Sequence, residues 1–306
     1  MNLNSKKKIF IRNVITKKNF KIGKLFFIVI LTMSAFAANS LLARIAIANQ
    51  EIGPSFFSFI RLVSGSIILI ILVFFRFGLH PIIYIKPNLL GVMGLSLYMV
   101  GFHYAYFFLE AGIGSIILFG GVQVVMFTSS ILSKKQPTLF NWIGMITAMI
   151  GIILLFFPFD LNSSQPINGL ILMLIAALGW GIYSINGTKS KNPLTSTMSN
   201  FIFTIPIVIT SFIIFPDNIS LTYFGIFLAI CSGALMSALG YSLWYTILPY
   251  LEKTIAALVQ LLVPVIALAL SMLFLDEKLT YLSFLSSILI ISGIFVGIYA
   301  DKFKNK

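Results

Sequence analysis

Residues 54–75 read PSFFSFIRLVSGSIILIILVFF, with a single charge, Arg61, and a proline at the front. At a rise of about 1.5 Å per residue such a run crosses roughly 30 Å of hydrocarbon as a helix. Pro54 suits the first helical turn, where a missing N–H costs nothing. Barrel strands would be shorter and alternating. Working outward, runs of the same kind span 24–47, 54–75, 88–109, 112–132, 139–157, 168–187, 195–215, 221–247, 254–274 and 281–300. Pro137 and Pro193 precede two of them, and Pro158, Pro166 and Pro216 stand with Asp160 and Asp217 between others. The chain is 59% hydrophobic and 9% charged, against roughly 25% charged in a soluble domain. The expected fold class is an all-α integral membrane protein of about ten transmembrane helices.

The formal charge is +13, and much of it lies in Lys6, Lys7, Lys8, Arg12, Lys17, Lys18, Lys21 and Lys24. No aromatic-interleaved basic face accompanies these residues, so nucleic acid is not the expected partner. A basic arm before a first span is a topology signal or a patch for anionic lipid. The arm is longer than a signal peptide's charged region and is read as retained. With the N-terminus in the cytoplasm, Arg76, Lys86, Lys134, Lys135, Lys189, Lys191, Lys253, Lys302, Lys304 and Lys306 fall inside. Glu51, Glu110, Asp160, Asp217 and the Asp276-Glu277-Lys278 cluster fall outside. This predicts cytoplasmic N- and C-termini in a bacterial cytoplasmic (inner) membrane. Cys231, the one cysteine, is expected to be a small buried residue, and no thiolate metal site is expected.

The chain also resembles itself. A shift of 142 positions lays Leu109-Glu110 on Leu251-Glu252, Thr138 on Thr280 and Gly151 on Gly293. Spans 1 and 6 align slightly differently, with Gly23 near Gly169 and Ser34-Ala35 near Trp180-Gly181. Five spans separate equivalent points, so the two halves would insert in opposite orientations. Inverted repeats are a device of secondary transporters, in which one half rocks against the other around a midplane site. The expected organisation is a basic arm (1–23), a first repeat (24–157), a second repeat (158–300) and a basic tail (301–306).

Several stretches resemble the EamA family of drug/metabolite transporters. They are Phe59-Ile60-Arg61, Trp180-Gly181, Gly112 to Gly121, Ala256-Ala257 through Pro264, Asp276-Glu277-Lys278-Leu279-Thr280 and Gly240 to Tyr245. The resemblance covers about residues 24–300 and implies two five-span repeats, with spans 4 and 9 near the centre. The first repeat departs by carrying Lys134-Lys135 where the second has Asp276-Glu277, and span 1 lacks the Trp-Gly pair.

Charge within hydrocarbon costs a few kcal/mol on insertion scales. Away from span ends the chain places Arg44 and Arg61 there. Each either snorkels and bonds helix-end carbonyls, or anchors a substrate carboxylate or phosphate through its planar fork of donors. His103 combines an intramembrane position with a reference pKa near neutrality. It is either a hydrogen-bonded packing residue or the first suspect for proton coupling, since no Asp or Glu lies clearly within a span. Asn39, Gln123, Asn186 and Gln260 either bond neighbouring helices or face a pathway. Tyr98, Trp180, Tyr183 and Tyr241 are candidates to line a cavity for an amphipathic or aromatic solute, and Pro206 and Pro264 are candidate hinges.

The leading expectation is an alternating-access exporter of small polar or amphipathic metabolites such as amino acids, with no cofactor, no metal and no catalytic residue. A lipid or lipid-linked sugar flippase is the alternative, with Arg44 and Arg61 as headgroup ligands. A membrane enzyme would need acids, a metal set or a nucleophile with its base. Two histidines, His80 and His103, and few acids supply none. A channel suits lone internal charges less well than gated binding does. Substrate identity, direction and oligomeric state are not legible.

Overall fold

The computed structural model describes residues 22–109, 111–134, 136–155, 167–214, 221–274 and 280–304. The basic arm (all but its last two residues), the Asp276-Glu277-Lys278-Leu279 part of the expected turn and Glu110 lie outside the described residues, as does the side chain of Arg44. Helices α1 (Ile22–Ala48), α2 (Pro54–Phe77), α3 (Leu89–Phe108), α4 (Ala111–Leu132) and α5 (Leu139–Leu155) form the first half. In the second half, α6 (Ile167–Gly187) and α7 (Pro193–Ile214) are followed by α8, which runs through Tyr223–Cys231, a π turn Ser232–Ser237 and Ala238–Ile247. The broken α9 (Lys253–Gln260 and Leu262–Phe274) and α10 (Tyr281–Lys304) complete it. A single helical turn, His80–Ile83, links α2 to α3. Seven of these are long and apolar enough to cross a membrane, and three shorter apolar helices, α3, α4 and α5, make up the rest among the described residues.

Local chemistry sets where the helices begin. Asn88 caps α3 by accepting from the Gly91 N–H at 3.1 Å, and Thr222 caps α8 by accepting from Gly225 at 3.0 Å. Thr138 and Thr280, paired by the shift, both cap. Asn141 donates its N–H to Thr138 at 3.2 Å, and Ser283 donates to Thr280 at 3.1 Å.

The bundle is apolar outside and keeps a set of polar groups inside an otherwise apolar core. Phe26, Phe75 and Phe295 point outward, whereas Arg61, His103, Asn141, Asn200 and Gln260 are buried. A soluble protein sorts its residues the other way, and exposed apolar surface on this scale marks contact with lipid. Cys231, expected to be buried, is only half-buried.

The helices pack as reciprocal pairs. α3 lies along α6 and α1 along α8; α2 faces α7, α4 faces α9 and α5 faces α10. At the last pair, a Cβ on Gly151 would meet the Ser286 carbonyl and the Ile290 backbone at 2.9 Å. A Cβ on Gly293 would meet the Gly144 carbonyl and the Ala148 backbone at 2.6 Å. The register that lays Gly151 on Gly293 also lays Gly144 on Ser286 and Ala148 on Ile290, so the two contacts exchange places. Lipid supplies no hydrophobic drive between helices, and this closeness is what holds them.

Gly293→Leu therefore forces α5 and α10 apart and should destabilise by about 1–3 kcal/mol or more. Gly23→Ala, which meets nothing within 4 Å, is the matched control. Thermal unfolding in detergent checks this: Gly293→Leu lowers the midpoint and Gly23→Ala does not. Equal midpoints for all three proteins would overturn the account.

Candidate functional site: an aromatic cavity backed by a buried arginine

The centre of the bundle holds a cavity of about 40 Å³, room for a few waters. α1 gives it Phe36, Asn39 and Ser40, α3 gives Tyr98 and Phe102, and α4 gives Leu118, Phe119 and Val122. Trp180, Tyr241, Gln260 and Val263 close it from the second half. The rings hold one another edge-on: Phe36 stands 5.2 Å from Trp180 and 5.5 Å from Tyr241, and Trp180 stands 5.0 Å from Tyr241. Such pairs fix ring orientation beyond what area burial does.

The break in α9 supplies the polar part of the wall. Pro264 has no N–H to give the Gln260 carbonyl, and Leu261 turns its own N–H to Leu258 at 3.0 Å. The Ala257 carbonyl, released from the α-helical ladder, accepts from Gln123 Nε2 at 2.8 Å. Gln260 donates to the Ala256 carbonyl at 2.9 Å, and its Oε1 accepts from Trp180 Nε1 at 2.5 Å. The break thus falls at Leu261, three residues before Pro264, which sits in the first turn of the second piece. Pro206 leaves α7 continuous.

Arg61 stands behind this wall. Its side chain is 0% exposed. Nε donates to Ser237 Oγ at 2.8 Å, and Nη2 donates to the Tyr241 hydroxyl at 2.7 Å. His103 Nδ1 donates to the Met99 carbonyl at 2.7 Å, which leaves Nε2 to accept from Arg61 Nη1 at 3.3 Å. Among the described residues the partners of this guanidinium are a hydroxyl, a phenol and an imidazole, none of them an anion. Three of its five N–H groups are used. The π turn of α8 makes the arrangement possible, with Gly233 seated against the Arg61 carbonyl and Ser237 brought round to Nε. At the other end of the turn Ser232 bonds the Asn39 side chain. π turns of this kind recur at functional sites.

Of the residues singled out from sequence, Asn39, Tyr98, Trp180, Tyr241 and Gln260 line the cavity. Arg61 and His103 lie behind Tyr241, Gln123 braces α9 beside the wall, and Tyr183 stacks behind Trp180 at 5.5 Å. Phe36, Phe102 and Ser237 were not anticipated. Phe36 and Phe102 look like any apolar residue of a span, and the π turn that places Ser237 has no signature in the letters.

Residues 23–157 and 167–299 each match the EamA-like transporter family. An uncharacterized protein of Pseudomonas aeruginosa is 35% identical over 250 residues, covering 82% of this chain and 86% of that one. A probable amino-acid metabolite efflux pump of Escherichia coli is 27% identical over 240 residues, covering 71% of this chain and 79% of its own length. The uncharacterized transporter YoaV of Bacillus subtilis is 25% identical over 262 residues, covering 82% and 89%. A solved crystal structure shares the fold with a TM-score of 0.71 at 16% identity, over 87% of this chain and 96% of that one. The chain belongs to the EamA-like transporter family, within the drug/metabolite transporter superfamily, and is a multi-pass membrane transporter rather than an enzyme.

Proposed function

We propose that the protein exports small amphipathic metabolites, amino acids and their relatives, by alternating access across a bacterial cytoplasmic membrane. One observation carries the reading: a buried guanidinium with no anionic partner among the described residues stands directly behind an aromatic cavity. A buried cation that lacks a counter-charge is costly, and an arriving carboxylate relieves that cost through bidentate, charge-assisted bonds. The Tyr241 hydroxyl holds the place the carboxylate would take, so binding and the rearrangement of α8 are coupled. The rings of Trp180, Tyr98 and Phe36 suit the apolar part of such a solute. The amino-acid relation is also that of the Escherichia coli relative's name.

The reciprocal contacts of α5 and α10 support two halves related by a two-fold axis in the membrane plane, each half able to close one side of the cavity. The Lys/Arg bias supports both termini in the cytoplasm. His103 accepts a bond from Arg61, so any proton taken up at Nε2 breaks that bond and sets two cations side by side. Proton coupling through His103 would then be tied to the carboxylate's arrival. Arg61 faces inward rather than toward lipid, which leaves headgroup flipping without an observation in its favour.

Efflux of amino acids from preloaded proteoliposomes should be saturable, fall about tenfold or more in Arg61→Ala and recover partly in Arg61→Lys. Absence of saturable efflux by folded wild-type protein, for every amino acid loaded, would sink the proposal. For orientation, Asn49→Cys and Lys189→Cys are made singly in a Cys231→Ser background. An impermeant maleimide added to intact cells should label Asn49→Cys at once and Lys189→Cys only after permeabilisation; the reverse pattern would invert the topology.

A further inference from the structure

A second buried polar cluster lies outside the cavity wall, where α6, α7 and α8 meet. The Tyr245 hydroxyl donates to the Tyr183 carbonyl at 3.1 Å and accepts from Asn200 Nδ2 at 3.2 Å and Asn186 Nδ2 at 3.5 Å. Among the described residues three buried atoms here make no hydrogen bond of good geometry: the Tyr183 hydroxyl, Asn200 Oδ1 and the Thr204 hydroxyl. The Tyr183 hydroxyl stands near the side chains of Asn200 and Thr197, and Thr204 stands one turn beyond Asn200 along α7. Their residues are all 0% exposed. Groups that form no bond inside a membrane protein are costly, and they point to a ligand as their partner.

The cluster is the counterpart of the Arg61 site. The register that lays Leu109 on Leu251 lays His103 on Tyr245 and Gly91 on Gly233, and laying Pro54 on Pro193 lays Arg61 on Asn200. The contacts agree with that register. Arg61 bonds His103 at 3.3 Å in one half, and Asn200 bonds Tyr245 at 3.2 Å in the other. Gly233 sits against the Arg61 backbone, and a Cβ on Gly91 would meet the Asn200 side chain at 2.5 Å. A carboxamide thus occupies the place of the cation.

The exchange reverses what the site can hold. One amide N–H of Asn200 and one of Asn186 go to the Tyr245 hydroxyl, and the unpartnered atoms are neutral oxygens. Tyr183 itself lies between the rings of Tyr245 at 4.6 Å and Trp180 at 5.5 Å. Among the described residues an anion would find no positive charge in the contacts of this cluster. A primary ammonium, which only donates, would find neutral oxygen acceptors. Resting on the exporter reading above, we propose that the Asn200–Tyr183–Thr204 cluster is a second subsite, which takes the ammonium group of a zwitterionic or cationic substrate while Arg61 takes the carboxylate. The two halves of the path then differ in the sign of charge they favour.

Three solutes test this in proteoliposomes: phenylalanine, phenethylamine, which lacks the carboxylate, and 3-phenylpropionate, which lacks the ammonium. Asn200→Leu should raise KM about tenfold or more for the first two and change that of 3-phenylpropionate by less than about twofold. Asn200→Asp should lower KM for phenethylamine. Equal losses for all three solutes in both variants would make the cluster a packing element and overturn the subsite. Wild-type protein that carried 3-phenylpropionate alone would overturn it while leaving export standing. Wild-type protein that carried none of them would overturn export of this solute class and the subsite together.

Discussion

Hydrocarbon forms no hydrogen bonds, and the arrangement of this chain follows from that constraint. Apolar side chains face outward at little cost, so the inside of the bundle is free to hold amides, hydroxyls and the guanidinium of Arg61. Each polar group inside must then find partners on neighbouring helices, which is why Gln123 reaches the Ala257 carbonyl and Asn141 reaches that of Gly297 at 2.8 Å. The break in α9 and the amide of Gln123 depend on one another. The freed carbonyl would be costly without the amide, and the amide would be costly without the carbonyl.

In the proposed function the same constraint gives the transporter its sensitivity to solute. A guanidinium held, among the described residues, by neutral partners alone is under-compensated enough to respond to an anion. Tyr241 sits at the junction, since it lines the cavity, packs against Phe36 and Trp180 and accepts from Arg61. Anything that moves this one ring changes both the wall and the charge behind it.

The sequence reading reached the helices because each is written as a long apolar run, and it reached Arg61, His103, Trp180 and Tyr241 because a charge or a large polar ring stands out in such a run. Composition could not show depth. Tyr183 and Trp180 share a face of α6, yet only Trp180 lines the cavity, because the neighbouring helices set how far the wall extends. Asn200 passed unremarked among the Ser, Thr and Asn of α7, and its place opposite Arg61 emerges only when the contacts fix the register. Pro264, a candidate hinge in the sequence, stands just after an irregular turn of α9. The break falls at Leu261 because the proline removes the donor for a carbonyl four residues earlier, and the backbone yields between the two.

The π turn in α8 has a consequence for how such a protein diversifies. One residue more than an α-helix needs is stored at Ser232–Ser237, so everything after it is rotated by about 100° relative to an uninterrupted helix. Tyr241, Trp244 and Tyr245 all lie on that rotated half, whereas the first half is pinned by Thr222, whose N–H donates to the Glu51 carbonyl at 2.9 Å. Loss of a single residue from the turn would swing the whole aromatic face away from the cavity without altering one of its side chains. Chain length at this point is thus an inherited dial on molecular recognition, and an insertion or deletion there re-aims more chemistry than any point substitution.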